Sequence, residues 1–265
     1  MNYSRFVPNS LLHDIVDCYW IVEGTDRSVQ KIIPDGCSEL IFHFGDPYKI
    51  SSEQTPEALQ SFSIAAGQID KPIFLKPTGR SGVLGVKFKP LGMWKLLGCD
   101  MQLLRNQTYH LDDVLEISME HIVERIQNSK TNEQRINTVE TFLIGRLATL
   151  KNGDEITPLI NEIKTNKGQL SVRDLSGRHK ISNRKMERLF LQQVGLSAKL
   201  YSRLIRFSNV YNLLQQPSFT KAEATYLCGY FDQAHFNKEF REFTGENPEE
   251  YFNSNHSFSN FFLKR

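Results

Sequence analysis

Arg184, Glu187 and Arg188 stand three and four residues apart, so on a helix they share one face. That trio has the chemistry to read base edges. A guanidinium grips guanine O6 and N7 with two hydrogen bonds, and a carboxylate accepts from cytosine N4. Asn183 and Lys185 sit at the rim of the same face and suit phosphate contacts. Further along, Gln233, Ala234, Asn237 and Lys238 repeat the spacing with different chemistry. Amides pair with adenine N6 and N7, and an alanine methyl meets the methyl of thymine. His235 is placed to approach the sugar-phosphate chain, or to make a structural polar contact. A charged helical face taken alone is most often just solvated. The repetition, and the turn before each helix, favour a reader.

Reading bases requires rigid elements that present these side chains. Ser171–Gly195 and Phe219–Gly245 echo one another: a short amphipathic helix, a turn, then a second helix closed by glycine. In the first unit Ser171 and Asp174 have capping-box spacing, Ser182 caps the second helix and Gly195 stops it. Met186, Leu189 and Phe190 form its inward stripe. In the second, Asp232 is the N-cap, and Phe236, Phe240 and Phe243 turn inward. Ser197 opens a connecting helix to Gln216, with Leu200, Leu204, Phe207, Val210, Leu213 and Leu214 inward and Pro217 as its stop. Such a helix is about 30 Å long, against about 34 Å between successive major grooves on one DNA face. Upstream, Thr157 and Pro158 fit an N-cap followed by proline at the first helical position.

GYFDQAHFNKEFREFTGENPEEYF resembles the C-terminal signature of the AraC/XylS family of bacterial transcription regulators, through Gly229, Tyr230, Asp232, Gln233, Phe236, Lys238, Phe240, Gly245, Pro248 and Tyr251. The first unit matches through Leu175, Ser182, Leu189, Phe190, Gly195, Tyr201 and Arg206, so the resemblance spans about residues 158–252. It implies an all-α double helix-turn-helix domain with its two recognition helices in adjacent major grooves. The DNA contacts it implicates are Arg184, Glu187 and Arg188, then Gln233, Ala234, Asn237 and Lys238. Ser176 and Thr225 replace the small alanine usual in the first helix of each unit. Glu239 and Glu242 make the second recognition helix less basic, which bears on the tightness of the second half-site.

Before this region the pattern differs. Asp17–Val22, Glu39–Phe44, Ser63–Ala66, Ile73–Leu75 and Gly82–Lys89 read as strands, Ile33–Gly36 as a turn and residues 45–61 as a loop. Several short strands separated by glycine and proline favour a small barrel or sandwich. Leu111, Val114, Leu115, Met119, Ile122, Val123 and Ile126 then recur at helical spacing. A second helix follows, with Thr131 and Gln134 at its start and Ile136, Val139, Phe142, Leu143 and Leu147 as its stripe. This pair packs on its own β-domain or forms a dimer interface, and both hold if the helices use different faces. Lys151–Asp154 breaks the pattern. The expected fold is therefore α+β: a β-rich barrel-like domain with a helical pair over residues 1–153, and a helical DNA-binding domain over 154–265.

CYWIVEG, IIPDGCSELIFHFG and GVKFKPLGMWKLLG resemble the sensor domain found on one branch of these regulators, which implies a cupin-like barrel for a small effector. Tyr19, Trp20, Phe42, Phe44, Phe88 and Trp94 are the candidate lining, although aromatic residues on strands are most often core. Asp35 and Glu39 near His43 invite a metal or acid/base role. Asp35 sits in a Pro-Asp-Gly turn and the stretch holds one histidine, so no metal site is expected.

The whole-chain numbers set bounds. Net charge is +2, but residues 154–265 hold 16 Lys/Arg against 12 Asp/Glu, and the first 153 hold 16 against 18. That asymmetry points the C-terminal half at nucleic acid. Cys18, Cys37, Cys99 and Cys228 are scattered without a CxxC pair, which argues for reduced thiols and against a zinc cluster. No membrane span or signal peptide is expected. No catalytic triad, phosphate loop or HExxH helix is present. The reading is a cytoplasmic transcription regulator that activates. Its partners are double-stranded DNA, a small effector, a second copy of itself and RNA polymerase. It needs no cofactor and is not an enzyme. The rivals are a DNA-repair alkyl acceptor, a cupin-type enzyme fused to a DNA reader, and a pure interaction module that binds no DNA.

Overall fold

The computed structural model describes residues 1–150, 155–216, 218–254, 259, 261 and 263. The N-terminal half carries β1 (Asn2–Phe6), β2 (Val16–Gly24), β3 (Gln30–Ile32), β4 (Glu39–His43), β5 (Tyr48–Ser51), β6 (Ala58–Leu59), β7 (Ser63–Ala66), β8 (Ile73–Pro77) and β9 (Ser81–Phe88). After these come α1 (Gly92–Leu97), β10 (Thr108–His110), α2 (Leu111–Leu115), α3 (Glu120–Asn128) and α4 (Asn132–Gly145). Among the described residues the strands form two sheets, ordered β1-β2-β9-β4-β7-β10 and β3-β8-β5-β6. The sheets are open, which refines the expected barrel. Residues 45–61, expected as a loop, contain the β5–β6 hairpin.

The larger sheet is covered on both faces, so its central strands are buried almost throughout instead of alternating. Adjacent side chains still point to opposite faces. Tyr19, Ile21, Leu40, Phe42, Leu84, Val86 and Phe88 share one core with Trp94 of α1 and with Ile126, Ile136, Val139 and Leu143 of α3 and α4. Trp20, Val22 and Val83 face the smaller sheet and pack with Tyr48 and Leu75. Gly85 makes room there, since a Cβ on it would lie 1.9 Å from Trp20 Cε2. The helical pair thus buries its stripe on its own sheet, the first of the two expected arrangements. Its first helix is interrupted where Glu116 adopts φ 55°.

The expected boundary at Lys151–Asp154 lies outside the described residues. Beyond it the chain forms α5 (Thr157–Thr165), α6 (Val172–Arg178), α7 (Asn183–Val194), α8 (Ala198–Leu214), α9 (Lys221–Leu227), α10 (Gln233–Thr244) and α11 (Pro248–Asn253). Ile156, not Thr157, is the N-cap of α5, so Thr157 already lies within the helix. α8 has seventeen residues, about 25 Å of helix, shorter than the sequence suggests. Its expected stop, Pro217, is outside the described residues. Phe207 on α8 anchors a ring cluster, with centroids 5.5 Å from Phe240 and 5.1 Å from Phe243.

The two halves touch. Ile33 and Leu91 from the β-rich half belong to the helical core. Lys31 pairs with Glu246, and Arg5 Nη2 donates to the Phe261 carbonyl at 2.8 Å. Gly195 ends α7 with φ +85°, and a Cβ on it would lie 2.8 Å from the Met101 carbonyl oxygen of the 3-10 turn Met101–Leu104. Both a turn and a docking contact therefore require glycine there.

Candidate nucleic-acid interface and ligand cavity

Both recognition helices start on side-chain caps and end on left-handed glycines. The Lys185 N–H donates to Ser182 Oγ at 3.2 Å, and the His235 N–H to Asp232 Oδ1 at 2.7 Å. The shared caps give α7 and α10 the same twelve-residue length and the same inward positions: Met186 and Phe190 in one, Phe236 and Phe240 in the other.

The structure brings the candidate residues of each unit to the exposed start of its helix. Asn183, Arg184, Lys185 and Arg188 are exposed on α7, and Gln233, Ala234, His235 and Lys238 on α10. Two candidates have protein partners and a third is half-buried. Glu187 Oε2 accepts from the Ala198 N–H at 3.3 Å, so one of its oxygens is engaged at the start of α8. Lys185 pairs with Glu155 at 2.5 Å; both are well exposed, and such a pair exchanges readily for a phosphate. Asn237 is half-buried, with Oδ1 buried and lacking a hydrogen-bond partner, so a bidentate grip on adenine requires its amide to turn outward. The His235 ring meets Tyr230 edge-on at 5.3 Å.

Glu239 is not part of that face. It is 3% exposed and accepts from Arg203 Nε at 2.8 Å, Arg206 Nη2 at 2.9 Å and the Tyr230 hydroxyl at 2.8 Å. Glu242 accepts from the same Arg203 guanidinium at 2.5 Å. Burial lowers the affinity of both arginines for a proton, but the carboxylates outweigh it and hold them firmly charged. Glu239 and Glu242 therefore tie α10 to the connecting helix.

Sequence reasoning missed Phe231, which is 92% exposed two residues before α10, and Tyr226, which is 82% exposed on α9. The signal was a matter of counting. The caps Ser171 and Thr220 are 49 residues apart, as are the left-handed Lys180 and Gly229, but Ser182 and Asp232 are 50 apart. Phe231 is the extra residue in the second turn.

A cavity of about 390 Å³ lies between the two sheets of the β-rich half, within the size range of small-molecule sites. Of the six expected lining residues only Trp20 reaches it. Tyr19, Phe42, Phe88 and Trp94 belong to the opposite, helix-covered core, with Phe44 packed against it. The reason is the period of two: Tyr19 and Trp20 are neighbours and face opposite ways. The cavity walls are Ile41 and Glu39 of β4, with isoleucines from the facing strands. Trp20 Nε1 donates to Glu39 Oε1 at 3.2 Å. Burial raises the Glu39 carboxyl to about 7, against the pull of Lys87, which is itself paired with Asp35. His43 is buried with its Nε2 3.1 Å from Gln60 Oε1, and burial lowers its pKa to about 4. Among the described residues no three His, Cys, Asp or Glu side chains converge as metal ligands, and no helix is long and apolar enough to cross a membrane.

Two family models match. Residues 175–264 match a helix-turn-helix domain, and residues 4–110 match a domain of unknown function (DUF6597). The transcriptional regulator GbdR of Pseudomonas aeruginosa is 28% identical over 144 residues, half of this chain and 34% of its own length. The chain thus spans about a third of the curated relatives it matches. Among solved structures, Vibrio cholerae ToxT with an unsaturated fatty acid bound covers 87% of this chain and 92% of its own, with 12% identity and a TM-score of 0.48. An AraC-type DNA-binding domain protein of Chromobacterium violaceum covers 36% of this chain and 87% of its own, with 28% identity and a TM-score of 0.34. The helical C-terminal part of this chain, residues 175–264, is thus similar to known helix-turn-helix domains.

Proposed function

We propose that the protein is a cytoplasmic, sequence-specific DNA-binding transcription regulator. It reads two adjacent major-groove segments with α7 and α10 and is modulated by a small molecule held in the β-rich half. The division of labour follows the expected domains, 1–153 and 154–265. The observation that carries this reading is the pair of N-capped helices with exposed basic and amide side chains at their starts, fixed to one connecting helix. Arg184 and Arg188 grip bases on one half-site, and Gln233, Ala234 and Asn237 on the other; Asn183, Lys185, Lys238 and His235 hold the backbone. Glu187 contributes through α8 and its remaining oxygen. The polar outer face of α3 and α4, with Glu124, Arg125 and Asn137 exposed, is left for a second copy, and the bound regulator acts on RNA polymerase. Effector occupancy biases the DNA-competent state by its differential affinity.

Selection of the full-length protein against random duplexes tests the proposal. Two short motifs centred about 10 base pairs apart, weakening as salt rises, are expected. Enrichment of a single undivided motif, or of none, contradicts it.

A further inference from the structure

We propose that the cavity takes a small organic cation, an ammonium head against Glu39 with an apolar body among Ile32, Ile41, Ile50 and Ile73. This rests on the reading of the β-rich half as an effector site and names the chemistry of that effector.

The walls favour a ligand with an apolar body, because most of the lining surface is apolar and isoleucines from both sheets contribute to it. The inner polar groups then decide the class. Asp35 and Glu39 are two carboxylates against one ammonium, Lys87, which is 5% exposed and paired with Asp35. Lys87 also lies across the strands from Glu39 in register. Arg5 adds a weaker and more distant positive charge, and Lys71 stands elsewhere on the cavity wall, so burial still raises the Glu39 carboxyl and leaves its charge under-compensated. The hydrogen bond from Trp20 occupies Oε1 of Glu39, and no donor among the described residues engages Oε2. An ammonium ion supplies both the missing charge and the missing donors. A carboxylate ligand would meet Glu39 at the same place and be repelled.

The same segment that walls the cavity holds the helical half. Ile32, Ile33, Asp35 and Cys37 line the space. Next to them, Lys31 pairs with Glu246 and Ile33 enters the helical core. A Cβ on Gly36 would lie 3.7 Å from Tyr201 of α8. A head group that draws on Glu39 and Asp35 therefore acts on a strip whose outer side touches α8 and the α10–α11 turn.

The pH dependence follows from the groups around Glu39: Trp20 from β2, Lys87 from β9, Asp35 from the β3–β4 turn and, further off, Arg5 from β1. The carboxyl is raised to about 7, so it gains its charge as pH rises through neutrality. An alkylammonium, like lysine with an unperturbed pKa of about 10.4, stays charged throughout. Binding of the cation strengthens from pH 6 to 8.

Hexylammonium, hexan-1-ol and hexanoate share one apolar body and differ in the head. Calorimetric titration of the full-length protein at pH 8 is expected to rank them in that order, with hexylammonium about tenfold tighter than the alcohol. Glu39→Gln keeps the shape and removes the charge; it should abolish the preference while still taking hexan-1-ol. Ile50→Trp, which fills the cavity, should abolish all three. If hexan-1-ol or hexanoate binds wild type as tightly as hexylammonium, or Glu39→Gln keeps the preference, the cation is wrong and the effector cavity stands. If none of the three binds, or Ile50→Trp changes nothing, both fall.

Discussion

The two helix-turn-helix units share caps, helix lengths and glycine stops, yet they are held and equipped differently. At matched positions, counted from their caps, α7 carries Arg184, Leu189 and Gln193 where α10 carries Ala234, Glu239 and Phe243. The first unit is docked on the β-rich half by its end, where Gly195 meets Met101. It presents three exposed cations at its start. The second is welded to α8 by a buried charge cluster and presents amides and a methyl. The difference teaches that an acidic residue near a reading face is not evidence against reading until its direction is known. Glu239 stands three residues after Phe236 and one before Phe240, so it lies on the buried side of the helix.

The sharpest way to break this comparison is to remove the weld. Glu239→Ala leaves Arg203 and Arg206 without their shared partner and is expected to cost about 3–5 kcal/mol in denaturant unfolding. The matched change in the first unit, Leu189→Ala, removes only apolar packing, at about 2–5 kcal/mol. The two are distinguished by salt: high salt partly offsets the first loss and leaves the second unaltered. Equal salt response in both variants would mean that the cluster is not electrostatic in its effect.

The proposed DNA contacts should give a smaller but more specific effect. Arg184→Ala with Arg188→Ala is expected to weaken binding to the selected duplex by about 2–4 kcal/mol and to relax one half-site only. Both side chains are exposed, so unfolding stability should stay within about 0.5 kcal/mol of wild type. Gln233→Ala with Asn237→Ala should relax the other half-site by about 1–3 kcal/mol. If either double variant blurs both half-sites, the units do not read separately.

The smallest effect belongs to the turn. Deleting Phe231 restores the spacing of the first unit, and the ring is almost wholly exposed, so stability should change by less than about 1 kcal/mol. Loss of DNA affinity with the fold intact, read by titration beside circular dichroism, would assign the ring to the interface. A large loss of stability would show that the second turn needs its extra residue.

The helical half was far more legible in the sequence than the β-rich half, and the reason is locality. Ser171, Ser182, Ser197 and Asp232 act on N–H groups three residues away, so a cap shows itself within one turn. Strand sides are set by partners far along the chain. β2 and β9 are buried on both faces, so no alternation marked which residues looked into the cavity, and Tyr19 was grouped with Trp20. The lining came instead from Glu39 and Ile41, one residue to either side of the buried Leu40. The β5–β6 hairpin was hidden because its four- and two-residue strands sit among polar residues. The spacing of Glu187 fits a base contact, and only the fold shows that α8 begins beside it and engages one of its oxygens.

The most direct test of the two-unit account is the salt dependence of DNA binding on a single selected duplex. Wild type would be compared with the Arg184→Ala, Lys185→Ala, Arg188→Ala triple variant and with the Gln233→Ala, Asn237→Ala double variant. Each lost phosphate neutralisation flattens the slope of log K against log salt by about 0.9. The account predicts a slope flatter by about 1–3 for the triple variant, and an unchanged slope with lower affinity for the double. Equal slopes in all three proteins, or a flatter slope in the double variant alone, would contradict it.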